Sequence, residues 1–282
     1  MNTNLLNTLR LNTQRLRDGG SDQLTNLTNS VKFGSLELNS LGYIISRLVH
    51  DSMPARDFRT FDTPRNNGGG IIGNYWRTKR IVMEGYVSKN TNSELEAAID
   101  TMKQVLSAQE GNLDIAVDGT VRRYRATLIN AGNMFSDRKH YHVSFCPFLL
   151  EFDCLTPFGQ SVNYQVNTFE ESSLAYSDEV TNNGTAPAQG IVIVNFSTAS
   201  SVTVVNFENT RTGESIEVTN TFSAGGILEI NAEEKTVTLN DTAIDFDGVF
   251  PEFIQGINSF TITITGTSAI YSLTIKQKTN YF

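Results

Sequence analysis

The run Phe260-Thr261-Ile262-Thr263-Ile264-Thr265 alternates apolar and hydroxylated residues with a period of two. Successive side chains of a pleated strand leave opposite faces, so Phe260, Ile262 and Ile264 face a core while the threonines face water. Antiparallel sheet with one wet face is what such a strand builds. Working outward, the stretches 191–196, 202–207, 215–218, 227–230, 236–239 and 270–275 repeat this short alternating pattern, with turns between them and no helix signal. About eight strands at this spacing predict a β-sandwich or jelly roll. Ahead of it, residues 156–187 read as a transition ending in the polar turn Thr181-Asn182-Asn183-Gly184-Thr185-Ala186-Pro187.

Toward the N-terminus the pattern becomes mixed. A helix is predicted over 93–108, where Leu95, Ile99, Met102 and Leu106 share one face with Ala98 and Val105 beside them. Ser93 and Glu96 have the spacing of a capping box, and Gly111 is placed to close the far end. Residues 31–38, 43–49, 75–87, 113–117, 122–129 and 139–146 read as strands, and Cys146-Pro-Phe-Leu-Leu-Glu-Phe-Asp-Cys154 closes this half. Between them lies a polar stretch holding Pro54, Arg56, Arg59, Pro64, Arg65 and the triplet Gly68-Gly69-Gly70. Three consecutive glycines fit poorly inside a strand, so residues 52–74 are predicted to be a loop or hairpin arm projecting from the body. An arm loaded with arginine cannot bury itself in its own core. Read from the residues alone, such an arm is either a flexible surface loop or a segment that docks on another molecule. Residues 1–30 form an extension: Met1 to Arg17 carries no acid, three arginines and Leu5, Leu6, Leu9 and Leu16, the partial stripe of a short amphipathic helix or of a disordered segment.

The 282 residues are 39% apolar and 18% charged, the composition of a soluble globular chain, and no run approaches the roughly 18 apolar residues of a membrane span. No membrane anchor and no secretory signal are expected, so Asn183-Gly-Thr and Asn195-Phe-Ser read as chance sequons. Charge divides unevenly: residues 1–150 hold 18 Lys and Arg against 14 Asp and Glu, a balance of +4, while residues 151–282 hold 4 against 16, a balance of −12, within a net −8. The second half should repel nucleic acid.

Catalytic patterns are missing from the sequence. It has no Gly-x-Ser-x-Gly elbow, no Gly-x-x-x-x-Gly-Lys phosphate loop and no His-Glu-x-x-His pair, so no enzyme activity, cofactor or metal is expected. His140, His142, Cys146 and Cys154 are the one grouping that resembles a zinc site, but they lack the paired spacing of zinc modules, and two reduced core thiols explain the cysteines. Glu170-Glu171, Glu233-Glu234 and Asp245 with Asp247 read as solvated turn charges. Tyr164, Tyr176 and Tyr271 could stack a sugar ring or be buried with a wet hydroxyl. A carbohydrate-binding module for cell-wall glycans is accordingly the alternative function.

Taken together, the loop from Pro54-Ala-Arg56 to Pro64-Arg65-Asn-Asn-Gly68-Gly69, the strand Arg80-Ile-Val-Met-Glu-Gly85-Tyr-Val87, the helix at 93–108, Phe145-Cys-Pro-Phe148 and the late series Gly225-Gly226-Ile-Leu-Glu-Ile-Asn231, Lys235-Thr-Val-Thr-Leu-Asn240 and Gly256-Ile-Asn258-Ser-Phe260-Thr-Ile262 resemble the distal tail proteins of long-tailed phages with non-contractile tails. The order of these segments carries the resemblance, over roughly residues 31–282. It implies a mainly β protein: a ring-forming β-sandwich over 31–155 with one helix and an extended arm, and a galectin-like β-sandwich over 156–282. It further implies a homo-hexamer at the virion tail tip, assembled in the host cytoplasm, in which the arm embraces the neighbouring subunit, so that Pro54, Arg56, Arg59, Arg65, Gly68, Gly69 and Gly70 are the candidate inter-subunit contact. Its partners would be the tail tube protein and the baseplate hub, with the tape-measure protein and DNA passing through the channel. The extension 1–30 is longer than the family pattern.

Overall fold

Period-two strand patterning accounts for nearly all of the architecture. The computed structural model describes residues 30–40, 42–50, 52–62, 69–117, 119–131 and 145–282. Expectations for residues 1–29, Arg65, Gly68, His140, His142 and the strand over 139–144 lie outside the described residues.

The first part runs β1 (Ser30–Phe33), β2 (Leu36–Glu37), β3 (Tyr43–Val49), β4 (Arg56–Asp62), β5 (Gly69–Trp76), β6 (Lys79–Ser88), α1 (Asn92–Leu106), β7 (Gly111–Val117), β8 (Thr120–Asn130), β9 (Phe145–Cys154) and β10 (Gly159–Gln160). Its main sheet follows one hydrogen-bonded path, β2-β1-β7-β8-β9-β6-β3. The path ends, β2 and β3, are joined by residues 38–42 alone. Laid flat, the ends would stand about 29 Å apart at the usual strand spacing. The connecting chain reaches at most about 22 Å. The sheet therefore curls until its ends face each other, and the two layers of the expected sandwich are parts of one curled sheet. At the seam lies a cavity of about 300 Å³, lined by Val31 and Ala116 from one end and by Ile45 and Leu48 from the other.

Helix α1 packs into the curl. Leu95, Ala98, Ile99, Met102 and Leu106 are buried, in one cluster with Phe33, Ile81, Met83, Leu113, Leu150 and Phe152. The Tyr43 hydroxyl donates to the Ala98 carbonyl at 3.0 Å, tying strand to helix. The helix begins one box earlier than expected: Thr91 is the N-cap, and Thr91 and Glu94 rather than Ser93 and Glu96 exchange the capping hydrogen bonds. Both four-residue patterns are present in the sequence, and the earlier one, which caps the amides of Thr91 and Glu94, adds residues to the helix and leaves its buried face unchanged. At the other end Ser107 is the C-cap, its amide donating to the Lys103 carbonyl at 2.9 Å. Gly111 instead opens β7, where an added Cβ would sit 2.8 Å from the Phe33 ring. The strand predicted over 75–87 is interrupted at Arg77 and Thr78, where the arm leaves the main sheet.

The second part is built from β11 (Gln165–Glu171), β12 (Ala175–Asn182), β13 (Ala188–Ser200), β14 (Val202–Asn209), β15 (Glu214–Phe222), β16 (Ile227–Asn231), β17 (Thr236–Leu239), β18 (Thr242–Ala243), β19 (Asp247–Gly248), β20 (Glu252–Phe253), β21 (Gly256–Thr265), β22 (Ser268–Gln277) and β23 (Asn280–Tyr281). One sheet is ordered β11-β22-β13-β16-β17-β18 and the other β12-β21-β14-β15-β19. Between them lie Val194, Phe196, Phe207, Leu228, Phe260, Ile262 and Leu273 in a second apolar cluster. In β21 the sequence alternation is realised: Phe260, Ile262 and Ile264 are buried while Thr263 and Thr265 are exposed. β11 and β12 correct the reading of 156–187 as a transition. Each is the edge strand of its sheet and buries little, so its sequence stays polar and hides the pattern.

The chain crosses between the two parts twice, side by side. Outgoing β10 pairs with returning β23, Gly159 opposite Tyr281 and Gln160 opposite Asn280. The Asn280 carbonyl accepts from the Thr185 amide at 3.0 Å and the Ala186 amide at 3.1 Å, and its side-chain amide donates to the Pro187 carbonyl at 2.6 Å. Beside this ladder Trp76, Phe158 and Phe282 form a ring cluster with centroids 5.0 to 5.9 Å apart.

Candidate assembly surface

Strands β4 and β5 pair only with each other, forming a two-stranded sheet separate from both cores. Asp62 stands opposite Gly69 and Phe61 opposite Gly70, so these two glycines lie inside a strand of a hairpin, against the expectation that the triplet fits poorly in one. The Phe61 ring supplies the reason: a Cβ on Gly70 would lie 2.5 Å from it. A bulge places Arg59 across from Ile72 and Gly73, between the pairs Phe58–Asn74 and Thr60–Ile71. At the root the Arg77 amide donates to the Ala55 carbonyl at 2.8 Å, the Arg77 side chain pairs with Asp57 at 2.7 Å, and the Arg56 guanidinium lies 4.1 Å over the Trp76 ring. Pro54 is buried and Arg59 is exposed.

Of the candidate residues, Pro54 and Arg56 thus belong to the root, and Arg59 and Gly70 to the blade. Sequence reasoning overlooked the aromatic residues of the same blade. Phe58, Phe61 and Tyr75 are 55%, 47% and 69% exposed. The presence of Phe58 and Phe61 in a polar stretch was the available signal. By strand alternation Arg59, Phe61 and Tyr75 share one face, with Phe58 on the other. A lone two-stranded ribbon is marginal in water, and an aromatic side chain buries roughly 150–250 Å² when covered.

The curled sheet offers two unlike outer faces. On one, Lys32, Asp114 and Arg123 lie in one cross-strand row and Asn112 stands opposite Arg125, a solvated array in which Arg123 grips Asp114 through two contacts of 2.7 Å. On the other, β3, β6 and β9 align Ile44 with Tyr86 and Pro147, Arg47 with Glu84 and Leu149, and Val49 with Val82 and Glu151, and Arg47 pairs with Glu84 at 3.0 Å. Phe145 is 42% exposed and its ring lies 4.8 Å from that of Tyr86. Arg80 approaches Glu151 and Asp153 only at 4.0 and 3.9 Å.

Among the described residues no group of three or more His, Cys, Asp or Glu side chains could hold a metal ion. Tyr271 is fully buried, Tyr176 is half-buried against Phe169 and Phe260, and the Tyr164 hydroxyl donates to Glu233 at 2.9 Å. Cys146 and Cys154 are buried thiols. Burial, partly countered by the charge of Lys79, pushes the Cys154 thiol up to about 12. The thiolate is the reactive form, so iodoacetamide at pH 8 should leave Cys154 unmodified in the folded chain and label it after unfolding, read by mass spectrometry.

Residues 183–281 match the family described as siphovirus-type tail component, C-terminal domain. A search of the curated proteins finds no match. Among solved structures, the chain resembles the Dit protein of phage SPP1, described as a paradigm of the hub adsorption apparatus in phages that infect Gram-positive bacteria. The TM-score is 0.66 at 14% identity, over 89% of this chain and 98% of that one. The activated baseplate of phage P2 gives a looser likeness, TM-score 0.42 at 8% identity over 87% of this chain and 97% of that one. This chain is therefore mainly β and folded like a siphophage distal tail protein, and its residues 183–281 carry the match to the siphovirus-type tail component domain.

Proposed function

We infer that the chain is a structural subunit of a siphophage tail tip, closing with copies of itself into a hexameric ring. That ring joins the tail tube protein to the baseplate hub and leaves a channel for the tape-measure protein and DNA. The observation that carries this reading is the hairpin β4–β5, which extends a strand pair with exposed Phe58, Phe61 and Tyr75 away from both cores. Such a ribbon gains stability only from a surface that is not its own. When one patch grips a different patch on the next copy, the contact is head-to-tail, and it ends in a ring if the rotation closes. Likeness to the SPP1 Dit fold supports a tail-tip role in the virion, and assembly would take place in the host cytoplasm.

In this role the chain performs no catalysis. The rear sandwich, residues 156–282 with 4 Lys and Arg against 14 Asp and Glu, faces partners outside the ring, and the curled front sheet with its arm supplies the ring contacts. Multi-angle light scattering of the purified chain should return about six times 31.2 kDa. A particle of 31.2 kDa at high concentration overturns the reading.

A further inference from the structure

We propose that the cluster of Trp76, Phe158 and Phe282 couples the arm to the rear sandwich, so that neither turns on the front sheet without moving the other. The coupling belongs to the single chain and goes beyond the ring reading.

Phe282 touches three bodies at once. Its ring lies 5.0 Å from that of Trp76, which closes the root of the arm opposite Arg56, and 5.3 Å from that of Phe158 on the outgoing crossing. Its amide donates to the Thr185 Oγ1 at 3.0 Å, in the turn that leads into β13 near the middle of one rear sheet. From the arm, the Arg56 guanidinium holds Trp76 at 4.1 Å from the ring. Tilted and edge-on rings at these distances interlock, so turning one displaces the others.

Backbone pairing leaves little slack around the cluster. β8 pairs with β10 through Arg123 and Gln160, β10 pairs with β23, and Asn280 of β23 bridges to Ala186, a continuous hydrogen-bonded run from the front sheet to the rear sandwich. Ser161 and Thr279 lengthen it: the Ser161 amide donates to the Thr279 carbonyl at 2.8 Å, and the Thr279 amide to the Ser161 hydroxyl at 3.0 Å. Two glycines permit the close approach. A Cβ on Gly159 would lie 2.7 Å from the Tyr124 ring, and one on Gly184 would strike the Asn280 carbonyl. The Arg122 guanidinium adds a contact at 5.0 Å from the Tyr281 ring. Domains joined by slender linkers ordinarily swing about them, because few contacts cross. Here the two crossings are paired to each other, and the ring cluster ties the arm to the same joint.

Hydrogen exchange of the full chain, read by mass spectrometry, tests the coupling. Phe282→Ala should speed exchange at Thr185 and Ala186, and by a similar factor, on the order of tenfold, at the Arg77 amide that closes the arm root. Arg56→Ala, made at an exposed position, should send the effect the other way, speeding exchange at Ala186 and Phe282 as well as at Arg77. Peptides from β21 report on the rear core and should keep the parent's protection in both variants. Unchanged exchange at Arg77 in Phe282→Ala, or at Ala186 in Arg56→Ala, overturns the coupling. If Phe282→Ala also loosens β21, Phe282→Leu takes its place under the same criteria, and Arg56→Ala stands unaltered beside it. The pattern is expected in single chains and in rings alike. Light scattering that returns a single-chain mass for the same samples therefore overturns the ring reading and leaves the coupling standing.

Discussion

Replacing residues 58–74 with an Asn-Gly turn should convert ring-sized particles into folded single chains. The replacement keeps Asp57 opposite Tyr75 and Arg56 stacked on Trp76, so the root of the arm closes as a short hairpin. The apolar cluster of the front sheet contains no residue between Tyr43 and Ile81, which means the shortened chain loses nothing from its core. What it loses is Phe58, Arg59 and Phe61 from the blade. Phe58 and Phe61 are 55% and 47% exposed, so covering what remains of both removes roughly 150–250 Å² of apolar surface from water per contact, or about 4–6 kcal/mol before the entropy of association is subtracted. Losing that from every contact should remove the assembly altogether. Light scattering gives the mass and far-ultraviolet circular dichroism the retained β content. A shortened chain that still runs at ring size would show that the grip lies elsewhere.

Phe260→Ala should be the most damaging single substitution in the rear sandwich. The side chain is fully buried, stacked on Phe207 at 5.6 Å and tilted against Phe169 at 5.5 Å. Emptying such a site costs about 3–5 kcal/mol, a large share of the roughly 5–15 kcal/mol that stabilises an ordinary domain. The melting temperature should fall by the order of 10 °C. Thr263→Ala, three positions along the same strand and on its wet face, should stay within about 0.5 kcal/mol of the parent. Equal effects of the two substitutions in thermal denaturation would contradict the assignment of faces in β21.

The reading of β21 from sequence succeeded because one face of that strand is buried and the other is wet, so the pleat leaves its mark residue by residue. The edge strands β11 and β12 bear no such mark, since half of their surroundings is solvent, and they passed for a connection. The helix was located by Leu95, Ile99, Met102 and Leu106, whereas its start was misplaced because Thr91-Asn-Ser-Glu94 and Ser93-Glu-Leu-Glu96 both satisfy the capping pattern. In the arm, glycine was read as an interruption, although Gly70 makes room for Phe61 inside a strand. The outer face of β3, β6 and β9 was beyond sequence reasoning. Ile44, Tyr86 and Leu149 come together only through the pairing registers of strands far apart in the chain.

Trp76 is the sole indole in the chain, and it sits where the arm, the outgoing crossing and the returning segment meet, against Phe158, Phe282 and the Arg56 guanidinium. Its ultraviolet emission therefore reports on one joint alone. A change in the angle between arm and body would alter the polarity around that ring, so the protein carries a built-in optical gauge of its own articulation that needs no attached dye.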